Sequence, residues 1–174
     1  VEDLRRVLAH DEHHHEALSL LGRLYEDREN WERLVEVRAR QIDVAGTTEE
    51  RVLGHLAQGQ LYRTHLAQPQ QAREQYELAL QLDGRCEPAL RGLAEAAIDT
   101  DDLRSAISAH DRLADLLTDR DDVDGQVALH LRVAALWERL GDRPCALTRL
   151  RRAMQLRANE PQVLRRQAAL HLAM

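Results

Sequence analysis

The chain of 174 residues contains no lysine and no phenylalanine, and Trp and Tyr together number five. So small an aromatic set gives little for stacking bases. No apolar run reaches the ~18 residues that a membrane-spanning helix needs. Two cysteines, Cys86 and Cys145, are too few for a disulfide framework, and free thiols in a reducing compartment are expected. The opening residues Val-Glu-Asp-Leu-Arg-Arg carry no apolar signal core and no starting Met. A cytoplasmic location is expected, with further chain preceding Val1. Four prolines and eight glycines fall mostly between periodic segments, and β-branched residues are sparse. No phosphate-binding glycine loop, H-E-x-x-H, G-x-S-x-G or paired C-x-x-C occurs, and no cofactor is called for.

What is present is Leu, Ala, Arg, Glu and Gln, all good helix formers. All 24 basic residues are Arg, the mark of a GC-rich coding sequence more than of phosphate chemistry. The net charge of -6 is unevenly spread. Residues 139–174 carry eight Arg and two acids, a net of +6, whereas residues 1–138 carry 16 Arg and 28 acids, a net of -12. That split suggests a head-to-tail contact between copies.

Leu18-Ser19-Leu20-Leu21-Gly22-Arg23-Leu24-Tyr25 places Leu18, Leu21 and Tyr25 on one helical face, with Gly22 small enough for a partner helix to approach. A second pattern, A-x3-aromatic-x2-A, occurs as Ala72, Tyr76 and Ala79. It returns as Ala146, Leu150 and Ala153, and more loosely as Ala106, His110 and Leu113. Small positions Gly22, Gly59, Ala94, Ala134 and Ala168 are 37, 35, 40 and 34 residues apart. Intervals near 34 mark stacked helix pairs.

On these residues the chain resembles the tetratricopeptide-repeat family in a degenerate, bacterial-type form, over nearly its whole length. The resemblance implies an all-α, right-handed α-solenoid of antiparallel helix hairpins. The expected organisation is a single solenoid over 1–174. It has a half repeat at 1–10, repeats at about 15–46, 47–84, 85–119 and 120–158, and a half repeat at 159–174. Neither end supplies the polar capping helix that a solenoid end requires, so a piece of a longer solenoid is expected, or self-association through uncapped ends.

Punctuation supports the hairpins. Gly46-Thr47-Thr48-Glu49-Glu50 reads as a helix stop, hydroxyl caps and first-turn acids. Pro69, Pro88 and Pro161 stand at tolerated helix starts, and Asp101 or Asp102 caps the helix that follows. Leu4, Val7 and Leu8 form an apolar stripe; Trp31, Leu34, Val35 and Ile42 face inward; Arg38 stands where the family has a bulky apolar residue.

The family's interaction surface is the concave face, formed by the first helix of each repeat. By register, its outward positions are Ser19, Arg23 and Glu26, then Gln60 and Arg63, then Arg91 and Glu95, then Leu131, Ala135 and Glu138. A carboxylate clamp for chaperone tails uses Lys and Asn at set groove positions. Here those positions hold Ser19, Arg23, Ala57, Pro88 and Gly92, so the clamp is absent. The implied role is a non-catalytic scaffold for a peptide or partner subunit, or else the regulatory or substrate-docking arm of a larger enzyme.

His10, His13, His14 and His15 offer imidazoles for Zn²⁺ or Ni²⁺. The register places residues 11–14 in a turn, so His10 and His14 do not share a helix face. Asp119 to Asp124 fails as a calcium loop, because Arg120 and Leu131 stand at its first and twelfth positions; these acids read as helix caps. The Arg-rich end (Arg143, Arg149, Arg151, Arg152, Arg157, Arg165, Arg166) could meet nucleic acid or an acidic partner. An acidic chain without a stacking set argues against RNA.

Overall fold

The computed structural model describes residues 2–158 and 161–172. Among them are ten helices: α1 (Glu2–His10), α2 (His15–Asp27), α3 (Trp31–Asp43), α4 (Thr48–Thr64), α5 (Pro69–Leu82), α6 (Glu87–Asp99), α7 (Leu103–Asp119), α8 (Val123–Arg139), α9 (Arg143–Leu156) and α10 (Pro161–Leu172). The expected all-α hairpin fold is observed, and there is no strand among the described residues. Two compact units divide the chain, Val1–Ala96 and Ala97–Met174.

The caps explain where the helices start. Thr47 Oγ1 accepts the Glu50 N–H, and Glu50 Oε2 accepts the Thr47 N–H and the Gly46 N–H, a reciprocal capping box. Asp102, not Asp101, caps α7; Asp122 caps α8; Asp142 caps α9, each through a carboxylate oxygen accepting from a backbone N–H. Of the acids at 119–124, Asp122 therefore serves as the cap of α8 and Asp124 lies in its first turn.

One backbone device recurs at the reversals. The residue just before the N-cap is left-handed in α3 (Glu29, φ 53°), α5 (Ala67, φ 52°), α7 (Asp101, φ 56°), α8 (Asp121, φ 57°) and α9 (Gly141, φ 76°). Only the last is glycine, so the other four hold a conformation that L-residues adopt at a cost.

In the first unit, Leu8, Ala17, Leu18, Leu21, Tyr25, Leu34, Val37 and Leu61 form a buried cluster joining α1 to α4. Arg5 on α1 donates to the Tyr25 hydroxyl at 3.0 Å. Val37 carries core packing that the sequence reading assigned to its neighbours, since Trp31, Val35 and Ile42 are half-buried and Val7 is exposed. Further along, Tyr76 on α5 is buried with its ring against two glycines, Gly59 of α4 and Gly92 of α6. Burial raises its phenol above the ordinary range, and the Arg63 charge opposes that only in part.

Gly22 is buried against α3, the partner helix of its hairpin, as expected of a small residue, with room left for a methyl group. A Cβ there would meet Gln41 Nε2 at 3.5 Å and Val37 at 3.7 Å, ordinary contact distances.

In the second unit, Ala97, Leu103, Ala106, Ile107, Val133 and Leu136 form one cluster, and Val127, Ala134, Ala146, Leu147, Leu150, Ala153 and Val163 another; Trp137 packs on both. The A-x3-aromatic-x2-A positions are uniformly buried, Leu150 and Leu113 fully so. Each buried leucine contributes about 1.5–3 kcal/mol. Ala168, aligned as a packing position, is exposed. Leu170 and Leu172 lie outside the residues whose side chains are described.

Candidate functional site: the first-helix face

Within the first unit, α2 and α4 are the first helices of successive hairpins and α3 lies between them in sequence. An open cleft of about 790 Å³ is bordered by Glu16 and Ser19 of α2, Arg38, Gln41 and Ile42 of α3, and Leu53, Gly54 and Ala57 of α4. A second, of about 230 Å³, shares Arg38 and Ala57 with it and is bordered by Glu26 and Gln60. At its end Trp31 and His65 stack with ring centroids 3.8 Å apart. Arg38 forms the common floor, donating to Gln41 Oε1 at 3.2 Å and lying 3.6 Å from the Glu26 carboxylate. A charged side chain cannot fill this space as an apolar one would.

Of the expected surface positions, Ser19, Arg23, Glu26, Gln60 and Arg91 are exposed, and Ser19, Glu26 and Gln60 border these clefts. Arg63 of α4 and Glu95 of α6 meet at 3.6 Å, so these two are brought together across neighbouring first helices. Arg91 is held by Glu87 one turn earlier on the same helix, at 2.8 Å. In the second unit, Glu138 accepts from Arg166 at 2.8 Å. Leu131 is half-buried and packs on the Val127–Leu150 cluster, and Ala135 is half-buried.

Gln41, Leu53 and Leu56 also border clefts on this side, and the sequence reading did not single them out. The available signal was Leu53 itself, an apolar residue on a first helix one turn after the capping box.

The histidines are not assembled. His14 is the N-cap of α2, its Nδ1 accepting the Ala17 N–H at 3.2 Å, which occupies the lone pair a metal would take. His13 lies 3.5 Å from its neighbour Glu12. Among the described residues no three His, Cys, Asp or Glu side chains converge on a metal position. Cys145 opens α9, where partial desolvation and the adjacent Asp142 carboxylate raise its thiol, away from the reactive thiolate. Cys86 is buried.

Much of the Arg-rich end is committed internally. Arg149 donates to Asp111 at 2.6 Å, Arg166 to Glu138 at 2.8 Å, Arg139 to Asp101 at 2.9 Å, and Arg157 pairs with Asp124. Behind Arg149 lies buried His130. Burial and the Arg149 and Arg152 charges lower its pKa, with Asp111 acting weakly against them. No helix among the described residues is long and apolar enough to cross a membrane.

No family model matches the chain, and no curated protein matches it either. Solved structures do. MamA superposes with a TM-score of 0.62 at 18% identity, over 88% of this chain and 84% of that one. The N-terminal domain of stress-induced protein-1 from C. elegans gives 0.63 at 11% identity, over 73% and 99%. YrrB, described as a TPR protein with an unusual peptide-binding site, gives 0.61 at 16% identity, over 97% and 85%. With the buried A-x3-aromatic-x2-A faces and the recurring hairpins, these likenesses make the chain a tetratricopeptide-repeat-like α-solenoid in fold.

Proposed function

We propose that this chain is a non-catalytic interaction scaffold that holds a peptide or partner subunit on the first-helix face, the concave face in proteins of this fold. The observation that carries the reading is the pair of adjoining clefts between α2 and α4, bordered by Ser19, Glu26 and Gln60 and floored by Arg38. Stacked helices hold such a surface preformed, so a partner binds without the ordering cost that a flexible receptor would carry. The solved structure of YrrB, named for a peptide-binding site, supports a peptide as the class of partner.

A random-peptide display library panned against the purified chain tests this. Enriched peptides are expected to lose binding at least tenfold when Ser19 and Gln60 are both replaced by Trp, which fills the clefts, and to keep it when Glu74 and Glu77 on α5 are replaced. No enrichment above background, or enrichment indifferent to Ser19 and Gln60, would overturn the reading.

A further inference from the structure

Leu53 of α4 is 59% exposed, the most exposed large apolar side chain among the described residues. It borders two clefts at once. On one side is the 790 Å³ cleft, with Ile42, Gly54 and Ala57. On the other is an apolar cleft of about 440 Å³ formed with Val52, Leu56, Cys86 and Pro88. Gly54 helps to shape the first: a Cβ there would lie 2.5 Å from Ile42 Cγ1, so the bare backbone lets α4 close on Ile42 and leaves Leu53 standing as a ridge. A ridge with an apolar hollow on each flank is the shape that receives two apolar side chains of a partner astride one leucine.

The rim has one dominant sign. Glu16 and Glu50 border the first cleft, Glu49 and Asp83 the second. The arginine bordering them, Arg38, is already engaged by Glu26 and Gln41. The unit Val1–Ala96 holds 18 acids against 12 Arg, a net of -6. We propose that Leu53 and its flanking clefts take a basic amphipathic segment of a partner protein, with apolar side chains in the two hollows and Lys or Arg side chains over the four carboxylates. This rests on the scaffold reading above and adds to it the place of docking and the chemistry of the partner. Apolar anchors supply affinity, and opposed charges fix orientation and speed association.

The test uses fluorescence anisotropy with three labelled synthetic 16-residue helices: one with Leu at three- and four-residue spacing and Lys elsewhere, one with Glu replacing every Lys, and one with Ser replacing every Leu. The Leu–Lys helix is expected to bind the chain at least tenfold more tightly than either other, and to weaken as salt rises. Leu53→Ala is expected to weaken it at least tenfold; because Leu53 is largely exposed, the variant's helical circular dichroism and melting should be unchanged. Glu16→Gln with Glu49→Gln should weaken it severalfold, and leaves the Glu50 cap intact. Equal binding of the Ser–Lys helix would reveal a mere polycation response and overturn the proposal. So would affinity indifferent to Leu53→Ala, or a dimer in sedimentation that Leu53→Ala dissolves, which would make the occupant a second copy. If library peptides depend on Ser19 and Gln60 while the Leu–Lys helix ignores Leu53, this inference falls and the scaffold reading stands. If the library yields no binder at all, the reading beneath it falls too.

Discussion

A Cβ placed on Gly92 would lie 2.4 Å from Cζ of Tyr76, closer than side-chain carbons approach in folded proteins. The ring has no room to retreat, because Gly59 faces it as well, its own added Cβ lying 2.8 Å from Tyr76 Cε1. Gly92→Ala and Gly59→Ala are therefore each expected to lower stability by about 1–3 kcal/mol through overpacking. Gly22→Ala, at 3.5 Å from its nearest neighbour, should instead be neutral or stabilising by up to ~1 kcal/mol from helix propensity. Urea denaturation of the three variants checks the contrast; a destabilised Gly22→Ala would contradict the open packing of α2 on α3.

His130 should make the second unit acid-sensitive. Its pKa is held below the ordinary 6.5 by burial first and by Arg149 and Arg152 next, so the folded state keeps it neutral. As pH falls through 6.5 the unfolded chain takes up the proton first, and stability declines until the lower folded pKa is passed. The slope from this one site is at most about 1.4 kcal/mol per pH unit. His130→Leu should flatten the dependence between pH 7.5 and 5, since Leu18 fills the corresponding place in the first hairpin while fully buried. An unchanged slope would remove His130 as the source.

The arginine pairs of the second unit should differ in worth. Arg149–Asp111 is short, with the Arg149 side chain 16% exposed, and Asp111→Ala is expected to cost on the order of 1–2 kcal/mol. Arg139–Asp101 is open to water, at 48% and 81% exposure, and Arg139→Gln is expected to change stability by less than about 1 kcal/mol. Equal costs by chemical denaturation would show that burial is not what separates them.

The capping box at the start of α4 is expected to be worth about 1 kcal/mol, read as the loss in Thr47→Ala. Because α4 carries Leu53 and borders both larger clefts, hydrogen exchange of its first turn should accelerate in the same variant.

The left-handed residues before the caps give opposite expectations. Ala67→Gly should stabilise by up to ~1 kcal/mol, and Gly141→Ala should destabilise by about as much. Melting temperatures moving in opposite directions would bear this out; a loss in Ala67→Gly would deny the strain.

The hairpins were legible because their signals are local. Pro69, Thr47, Asp102 and Asp142 mark helix starts within a few residues of themselves, and Ala72, Tyr76 and Ala79 announce one buried face by spacing alone. Gly92 was not legible as packing, since nothing nearby shows that Tyr76, 16 residues earlier, lies against it. The same holds for Arg149 and Asp111, which are 38 residues apart. Both clefts on α3 are bordered by Arg38, a residue that departs from the repeat pattern. A sequence shows such a departure plainly and does not show whether the neighbours collapse or stay open around it.

Five chain reversals adopt one backbone solution, a single left-handed residue handing directly to the cap of the next helix. Such joints are spare parts: the dipeptide Gly141-Asp142 could be transplanted to positions 67–68 and leave the hairpin's course unaltered. Four of the five lie inside hairpins, at α2–α3, α4–α5, α6–α7 and α8–α9, so each hairpin repeats one corner while the sequence of its helix faces varies.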